Sequence, residues 1–193
     1  CRRCGIIKTE TSRQRNPLFC RTFTGKKFYP MEPDPAAICI EDIAHALPMI
    51  CRGNGHVSSF WSVGEHCICC AKEALGRGYS RRLALACLLH DASECYMSDV
   101  PSPFKKELPE YQIWEEQLLC MIYKKFLGSE LTKEEQTRLD EIDHALLWYD
   151  LEILLGEKQQ TEAPGLHIDL TYEVRPFEEV EREYLDIFTR TYK

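Results

Sequence analysis

Four side chains stand out because their chemistry conflicts with the apolar patterns around them. His66 falls on the inward face of a helical pattern, His90 and Asp91 end the most hydrophobic segment, and Asp143 interrupts an apolar stripe. Burying an ionisable group without a partner is costly, so each needs a physical reason. Singly, each has an ordinary one: a core histidine bonded to a carbonyl, or an aspartate capping a neighbouring helix. Together they offer two imidazoles and two carboxylates, from three separate helices, to one divalent cation. That nitrogen and oxygen set suits Co, Mn or Mg, accommodates Zn, Fe or Ni, and leaves positions open for water and substrate oxygens. Such a cation lowers the pKa of a bound water and neutralises phosphate oxygens.

Basic and aromatic residues in the same region could meet a substrate. Arg52 precedes a Gly-Asn-Gly loop and could clamp a phosphate with two parallel hydrogen bonds, and Lys105 could act as a point charge. The ordinary alternative for both is a solvated surface charge. His56, in the Arg52 loop, could touch phosphate or bond to groups behind the site. Trp61 could stack on a base, although an aromatic beside a buried helix ordinarily packs in the core.

The elements that must position these residues are helical. Ile40, Ile43, Ala44, Leu47 and Cys51 recur at helix spacing, with Pro48 a kink or early end, and Arg52 to His56 reads as a loop. Ser62-Val63-Gly64-Glu65 has the form of a capping box and predicts a helix starting at Ser62. Its inner face holds Val63, His66, Cys67, Cys70, Ala71 and Ala74. Ser80 caps a segment that is apolar all round and leads into His90-Asp91. A long helix is expected from Pro109 to Phe126, with Tyr111, Trp114, Leu118, Met121 and Ile122 inward. A second capping box at Thr132 to Glu135 opens a helix to about Leu155, closed by Gly156. On it Leu139, Ile142, Asp143, Leu146, Tyr149, Asp150 and Ile153 share one face. A last amphipathic helix spans Pro176 to Thr191, presenting Phe177, Val180, Tyr184, Ile187 and Phe188, and the polar stretch from Glu157 to Pro164 is linker-like. The expected architecture is a single all-α bundle over residues 39–193, with residues 1–38 an irregular arm packed on it, including a short hairpin near Phe23 to Phe28.

At 193 residues the chain can build one ordinary core. A net charge of −7 argues against a nucleic-acid polymer as partner, but a small anionic substrate remains compatible with local positive charge. No run of about 18 apolar residues exists, so no membrane span is expected. The basic N-terminus is not followed by an apolar stretch and does not read as a secretory signal. The eleven cysteines are odd in number. Cys67, Cys69, Cys70, Cys87 and Cys120 read as small core residues of a reduced, cytoplasmic protein. Cys1 and Cys4 form a CxxC without a clear fourth ligand, so a mobile tail is expected there rather than a zinc knuckle. A homo-oligomer is compatible with all of this.

The order His66, His90-Asp91, Asp143 resembles the H…HD…D signature of HD-domain phosphohydrolases. The stretches Ser62–His66 (SVGEH), Leu88–Glu94 (LLHDASE) and Ser98–Lys105 (SDVPSPFK) are similar to the bacterial 5′-deoxynucleotidase branch. The likeness covers about residues 24–150. It implies an all-α HD-domain bundle with His66, His90, Asp91 and Asp143 on a metal. Two-metal members carry further histidines between the HD pair and the final aspartate, and none lies between Asp91 and Asp143, so one ion is expected. Asp150, seven residues beyond Asp143, is the alternative fourth ligand, with the context of Asp143 the better match. Matching positions imply an acid/base role for Glu94 and a contact with the sugar hydroxyl for Asp99. Their ordinary readings are a helix-end carboxylate and a turn cap before Pro101. The expected function is hydrolysis of phosphate from nucleoside or deoxynucleoside mono-, di- or triphosphates by metal-activated water. A phosphodiesterase or alarmone hydrolase on the same scaffold, or a non-catalytic nucleotide or metal sensor, are the alternatives. A cysteine-based redox module lacks paired CxxC spacing.

Overall fold

A computed structural model describes residues 18–192, so Cys1 and Cys4 lie outside the described residues. The chain is an all-α bundle built around two central helices, α2 (Val63–Gly76) and α3 (Arg81–Leu89). Both begin where local chemistry dictates. The Ser62 hydroxyl accepts from the Glu65 N–H while the Glu65 carboxylate accepts from the Ser62 N–H, and the Ser80 hydroxyl accepts from the Leu83 N–H. Leu83 to Leu89 is buried throughout, and its alternating leucine and alanine side chains let α2 lie close alongside.

Helix α1 (Ile40–Ala46) runs into a 3₁₀ turn at Leu47–Met49, where Pro48 ends the α-helical ladder. Pro48 packs so tightly on α2 that a Cβ at Gly64 would lie 2.9 Å from its nitrogen. After α3, a short α4 (Glu94–Met97) and α5 (Ser102–Lys106) lead to α6 (Pro109–Leu127) and α7 (Lys133–Tyr149), and α8 (Phe177–Thr191) packs across α1, α2 and α3. Helix α7 starts at the Thr132 to Glu135 capping box. Val180, Tyr184, Ile187 and Phe188 of α8 are buried as expected, while Phe177 at its first turn is 39% exposed. Ahead of the bundle, β1 (Cys20–Arg21) and β2 (Lys27–Phe28) form an antiparallel hairpin with Cys20 opposite Phe28. Phe28 is fully buried and stacks on Tyr96 at 4.0 Å. Among the described residues, no helix is long and apolar enough to cross a membrane.

Two features depart from the sequence pattern. Helix α7 does not continue unchanged to Leu155; residues Asp150–Leu154 form a π-helical turn. Its i→i+5 bonds widen the turn, so Leu154 rather than Ile153 comes round beneath the Asp150 face. Asp150 and Leu154 are buried, and Ile153 is 47% exposed. The second is a strap from Glu157 to Pro176, without helix or strand, that crosses back over α2 to reach α8. It is pinned by the Tyr149 hydroxyl donating to the Pro164 carbonyl, by His167 on the buried Glu73, and by Tyr172 on Asp150. At the α2 terminus a Cβ on Gly76 would lie 2.8 Å from the His167 Cβ, so only glycine lets the strap lie there unshifted.

Candidate metal centre

His66 is carried on the first turn of α2, His90 and Asp91 lie at the C-terminal end of α3, and Asp143 lies on α7. The bundle brings them together. His66 Nε2 is 2.9 Å from Asp143 Oδ1, and His90 Nε2 is 3.5 Å from the same oxygen and 3.3 Å from Asp91 Oδ2. The two imidazole centroids are 5.3 Å apart. Both histidines are buried, whereas the Asp91 and Asp143 side chains are 20% and 33% exposed, so the cluster opens to solvent on its carboxylate side.

The hydrogen bonds on the far ring nitrogens fix the chemistry of the near ones. His90 Nδ1 lies 2.7 Å from the Cys87 carbonyl, which can only accept, so Nδ1 carries the proton. In the neutral ring, Nε2 then presents a lone pair towards two carboxylates, and this buried atom has no hydrogen-bond partner. His66 repeats the pattern: Nδ1 faces Asp150 Oδ2 at 3.1 Å and Nε2 faces Asp143. Lone pairs turned towards carboxylate oxygens repel unless positive charge lies between them. Two buried imidazolium protons or one cation would supply it. The donor set of two imidazoles and two carboxylates suits a divalent ion, and the orphaned Nε2 of His90 is where such an ion fits.

The electrostatics point the same way. Burial and the charge of Arg52 work to lower the His66 pKa, but Asp143 and Asp150 outweigh them and raise it. Burial opposes the charged form of His90 too, and Asp91 leads the groups that drive its pKa well above the ordinary value. Burial would raise Asp143, yet the hydrogen bond from His66 and the charges of the two histidines hold it far below the carboxylate range. Asp150, the alternative ligand at the sequence level, stands behind His66 rather than among the near donors. Its carboxylate faces His66 Nδ1 and accepts from Arg52 at 3.2 Å and from the Tyr172 hydroxyl at 2.9 Å.

A cysteine that reads as core in the sequence joins the cluster. Cys70, one turn beyond His66 on α2, places Sγ 3.5 Å from His66 Nε2. His66, Cys70, His90 and Asp143 carry donor atoms all within 4.8 Å of one another, as do Cys67, His90 and Asp91. Cys67 lies on the other side of His90, 3.9 Å from the Nδ1 committed to the Cys87 carbonyl. Cys67, Cys70 and Cys87 are buried core thiols as expected, whereas Cys69 and Cys120 are only half-buried. Burial drives the Cys87 thiol up to about 12 and that of Cys70 well above its ordinary value.

Glu94 follows Asp91 through a tight turn in which the Glu94 N–H donates to the Asp91 carbonyl. The side chain is buried, and its Oε2 has no hydrogen-bond partner. Burial first, then the charges of Asp91 and Asp99, raise its pKa well above the carboxylate range. Asp99 is raised as well, by burial more than by Asp91. It is delivered by Ser98, whose φ of +73° and ψ of +155° are a conformation that is essentially glycine's. The Ser98 N–H bonds to the Glu94 carbonyl and its own carbonyl accepts from Tyr111, which hold the strained residue in place. Lys105 Nζ is 3.9 Å from Glu94 and 2.8 Å from Glu115.

Arg52 spans the site from the other side, with Asp91 at 3.4 Å and Asp150 at 3.2 Å. Burial would lower its pKa, but those two carboxylates raise it, so its charge is fixed. It starts a turn in which Gly53, Asn54 and Gly55 all have positive φ. The turn is anchored by the Arg52 N–H on the Trp61 carbonyl and by the Ser58 N–H on the Leu154 carbonyl of the π turn. His56 is exposed and closes the turn through its backbone N–H on Gly53. Trp61 is buried, tilted against Tyr172 at a centroid distance of 4.8 Å, and occupies the packing position rather than an open stacking face. Tyr172, on the strap, had no periodic signal in the sequence to mark it.

No protein-family model matches the chain. Over 108 residues it is 39% identical to an uncharacterized protein of Escherichia coli strain K12, YfdR, a match covering 56% of this chain and 58% of that protein. Over 112 residues it is 33% identical to an uncharacterized protein of Rhodobacter capsulatus, covering 55% of this chain and 57% of that protein. The chain therefore spans little more than half the length of the curated relatives it matches.

Proposed function

We propose that the chain hydrolyses phosphate from nucleotide-like substrates, using one divalent cation held by His66, His90 and Asp143 with Asp91 beside them. The observation that carries this reading is the pair of buried imidazole nitrogens facing carboxylates, with His90 Nε2 left without a partner. The likeness of SVGEH, LLHDASE and SDVPSPFK to the deoxynucleotidase branch of HD-domain phosphohydrolases supports the substrate class. A cation there supplies Lewis acidity towards phosphoryl oxygens and lowers the pKa of a water.

The remaining work falls to the chain's own groups. Glu94, whose pKa burial and the neighbouring carboxylates push well above its ordinary value, is the group suited to give a proton to a departing oxygen. Arg52 has two of its five donors engaged by Asp91 and Asp150, and the others are free to meet a phosphate oxygen. Lys105 adds a second positive charge next to Glu94 and steers an anion towards the open carboxylate side. Asp99, the residue that the resemblance matches to a sugar contact, accepts from a sugar hydroxyl in this reading.

The test follows phosphate release from nucleoside mono-, di- and triphosphates and p-nitrophenol release from bis(p-nitrophenyl) phosphate by the chelator-treated protein, with Mg, Mn, Co and Zn supplied separately. Cation-dependent release of phosphate from nucleotides is expected. Hydrolysis of the diester alone would make the chain a phosphodiesterase, and nucleotide binding without turnover would make it a sensor.

A further inference from the structure

We propose that Glu115 is a positioning residue for substrate binding: from α6 it holds the Lys105 ammonium off Glu94, so that the free donors of the ammonium meet the anionic group of the substrate. This rests on the hydrolase reading above and names the group that sets its lysine.

Lys105 needs such a partner. Helix α5 is a single short turn whose Ser102, Pro103, Phe104 and Lys106 are exposed, so packing fixes little of it. A lysine on that turn swings on a flexible four-carbon stem. Helix α6 supplies the restraint from one face. Tyr111 and Glu115 are four residues apart on it and so are neighbours on its surface. Glu115 Oε1 accepts from Lys105 Nζ at 2.8 Å, and the Tyr111 ring centroid is 6.0 Å from the same nitrogen. The ring is itself held, because the Tyr111 hydroxyl donates to the Met97 and Ser98 carbonyls at 3.3 and 2.9 Å.

The independent observation is Glu94. Its Oε1 is 3.9 Å from the same ammonium, beyond a hydrogen bond, and its buried Oε2 has no partner. A buried carboxyl short of a partner and a nearby ammonium close on one another unless something holds the ammonium away. Glu115 does so at the shorter distance and occupies one of three donors. Without it the ammonium turns to Glu94, and a substrate must first displace it, a cost that falls on binding rather than turnover. Fixing one flexible side chain ahead of binding is worth roughly two- to tenfold in affinity. Charge alone predicts the opposite sign, because removing an anion beside an anion's site would tighten binding.

The test measures inorganic phosphate affinity by calorimetry on the cation-loaded chain at fixed salt, and KM and kcat for phosphate release from 2′-deoxyadenosine monophosphate. The variants are Glu115→Gln, Lys105→Met, the two combined and, as a matched loss of charge, Glu116→Gln at an exposed position of α6. Circular dichroism checks that each folds. Glu115→Gln is expected to raise the phosphate Kd and the KM about two- to tenfold with kcat little changed. Lys105→Met should weaken both at least as much, and adding Glu115→Gln to it should cost nothing more. Glu116→Gln should bind phosphate as tightly as wild type or tighter. Unchanged or tighter binding by Glu115→Gln or by Lys105→Met overturns the role of Glu115 and leaves the hydrolase reading standing. So does a loss that Glu116→Gln shares or that persists in the Lys105→Met background. Phosphate binding with the expected pattern but no release from the nucleotide supports the role and removes the hydrolase reading. A wild type that binds neither phosphate nor nucleotide overturns both.

Discussion

Asp150 offers a perturbation whose size can be worked from its contacts. Its carboxylate faces His66 Nδ1 at 3.1 Å, accepts from Arg52 at 3.2 Å and takes the Tyr172 hydroxyl at 2.9 Å, all without reaching the donors that face the cation. A carboxylate behind a ligating histidine fixes its tautomer and raises its basicity, and losing such a partner costs about 10–100-fold in metal affinity. Asp150→Asn should therefore weaken cation binding by that factor, equivalent to about 1.4–2.7 kcal/mol. The substitution also removes one negative charge from the neighbourhood of the cation. Tyr172→Phe separates the two effects, because it deletes a hydrogen bond to Asp150 without altering charge. A smaller, several-fold loss is expected there. Competitive titration with a chelating indicator reads both, and circular dichroism checks that each variant folds. If Asp150→Asn bound the cation as tightly as wild type, His66 Nε2 would not be the ligating atom, and the orientation argued for the whole cluster would fail.

Three further outcomes follow from separate parts of the molecule. Glu94→Gln should bind metal normally yet lose turnover by roughly two to four orders of magnitude, measured as initial rates of phosphate release at saturating cation. Glu73 is buried, and although burial would raise its pKa, hydrogen bonds from Arg77 and His167 lower it below the ordinary 4.5. A group depressed in the folded state contributes stability above about pH 4.5 that is lost as pH falls through the folded value. Thermal unfolding midpoints of Glu73→Gln should therefore sit below wild type at pH 7 and converge on it as the pH is taken progressively below the ordinary 4.5; a constant gap would contradict this. Ser98→Gly relieves a φ of +73° and should raise the free energy of unfolding by roughly 1 kcal/mol in urea titrations, since glycine adopts that conformation without strain.

The parts of the fold legible in the sequence are those set by local chemistry. The Ser62 to Glu65 and Thr132 to Glu135 capping boxes bond as their spacing requires, and the apolar run ending at His90 is the centre of the core. The convergence of His66, His90, Asp91 and Asp143 was also readable, because ionisable groups on buried faces need a shared reason. What depended on distant partners was not. The π turn at Asp150 leaves the Leu154 carbonyl bonded to Ser58, a contact formed across nearly a hundred residues, and it turned Ile153 outwards. Tyr172 sits in a strap with no periodicity, held by side-chain bonds that no local pattern announces. Cys70 was visible at one-turn spacing from His66, but a cysteine in an apolar stripe ordinarily means packing. Arg52 carried no sign that its guanidinium would bridge two carboxylates.

The most direct test of a cation-dependent hydrolase is elemental analysis of active protein, paired with phosphate release from the same sample before and after chelation and re-addition. One divalent ion per chain is expected, with activity vanishing on chelation and returning in proportion to the ion restored. Asp143→Ala should contain none and release no phosphate. Full activity after chelation, with no metal in the protein, would contradict the account at its centre.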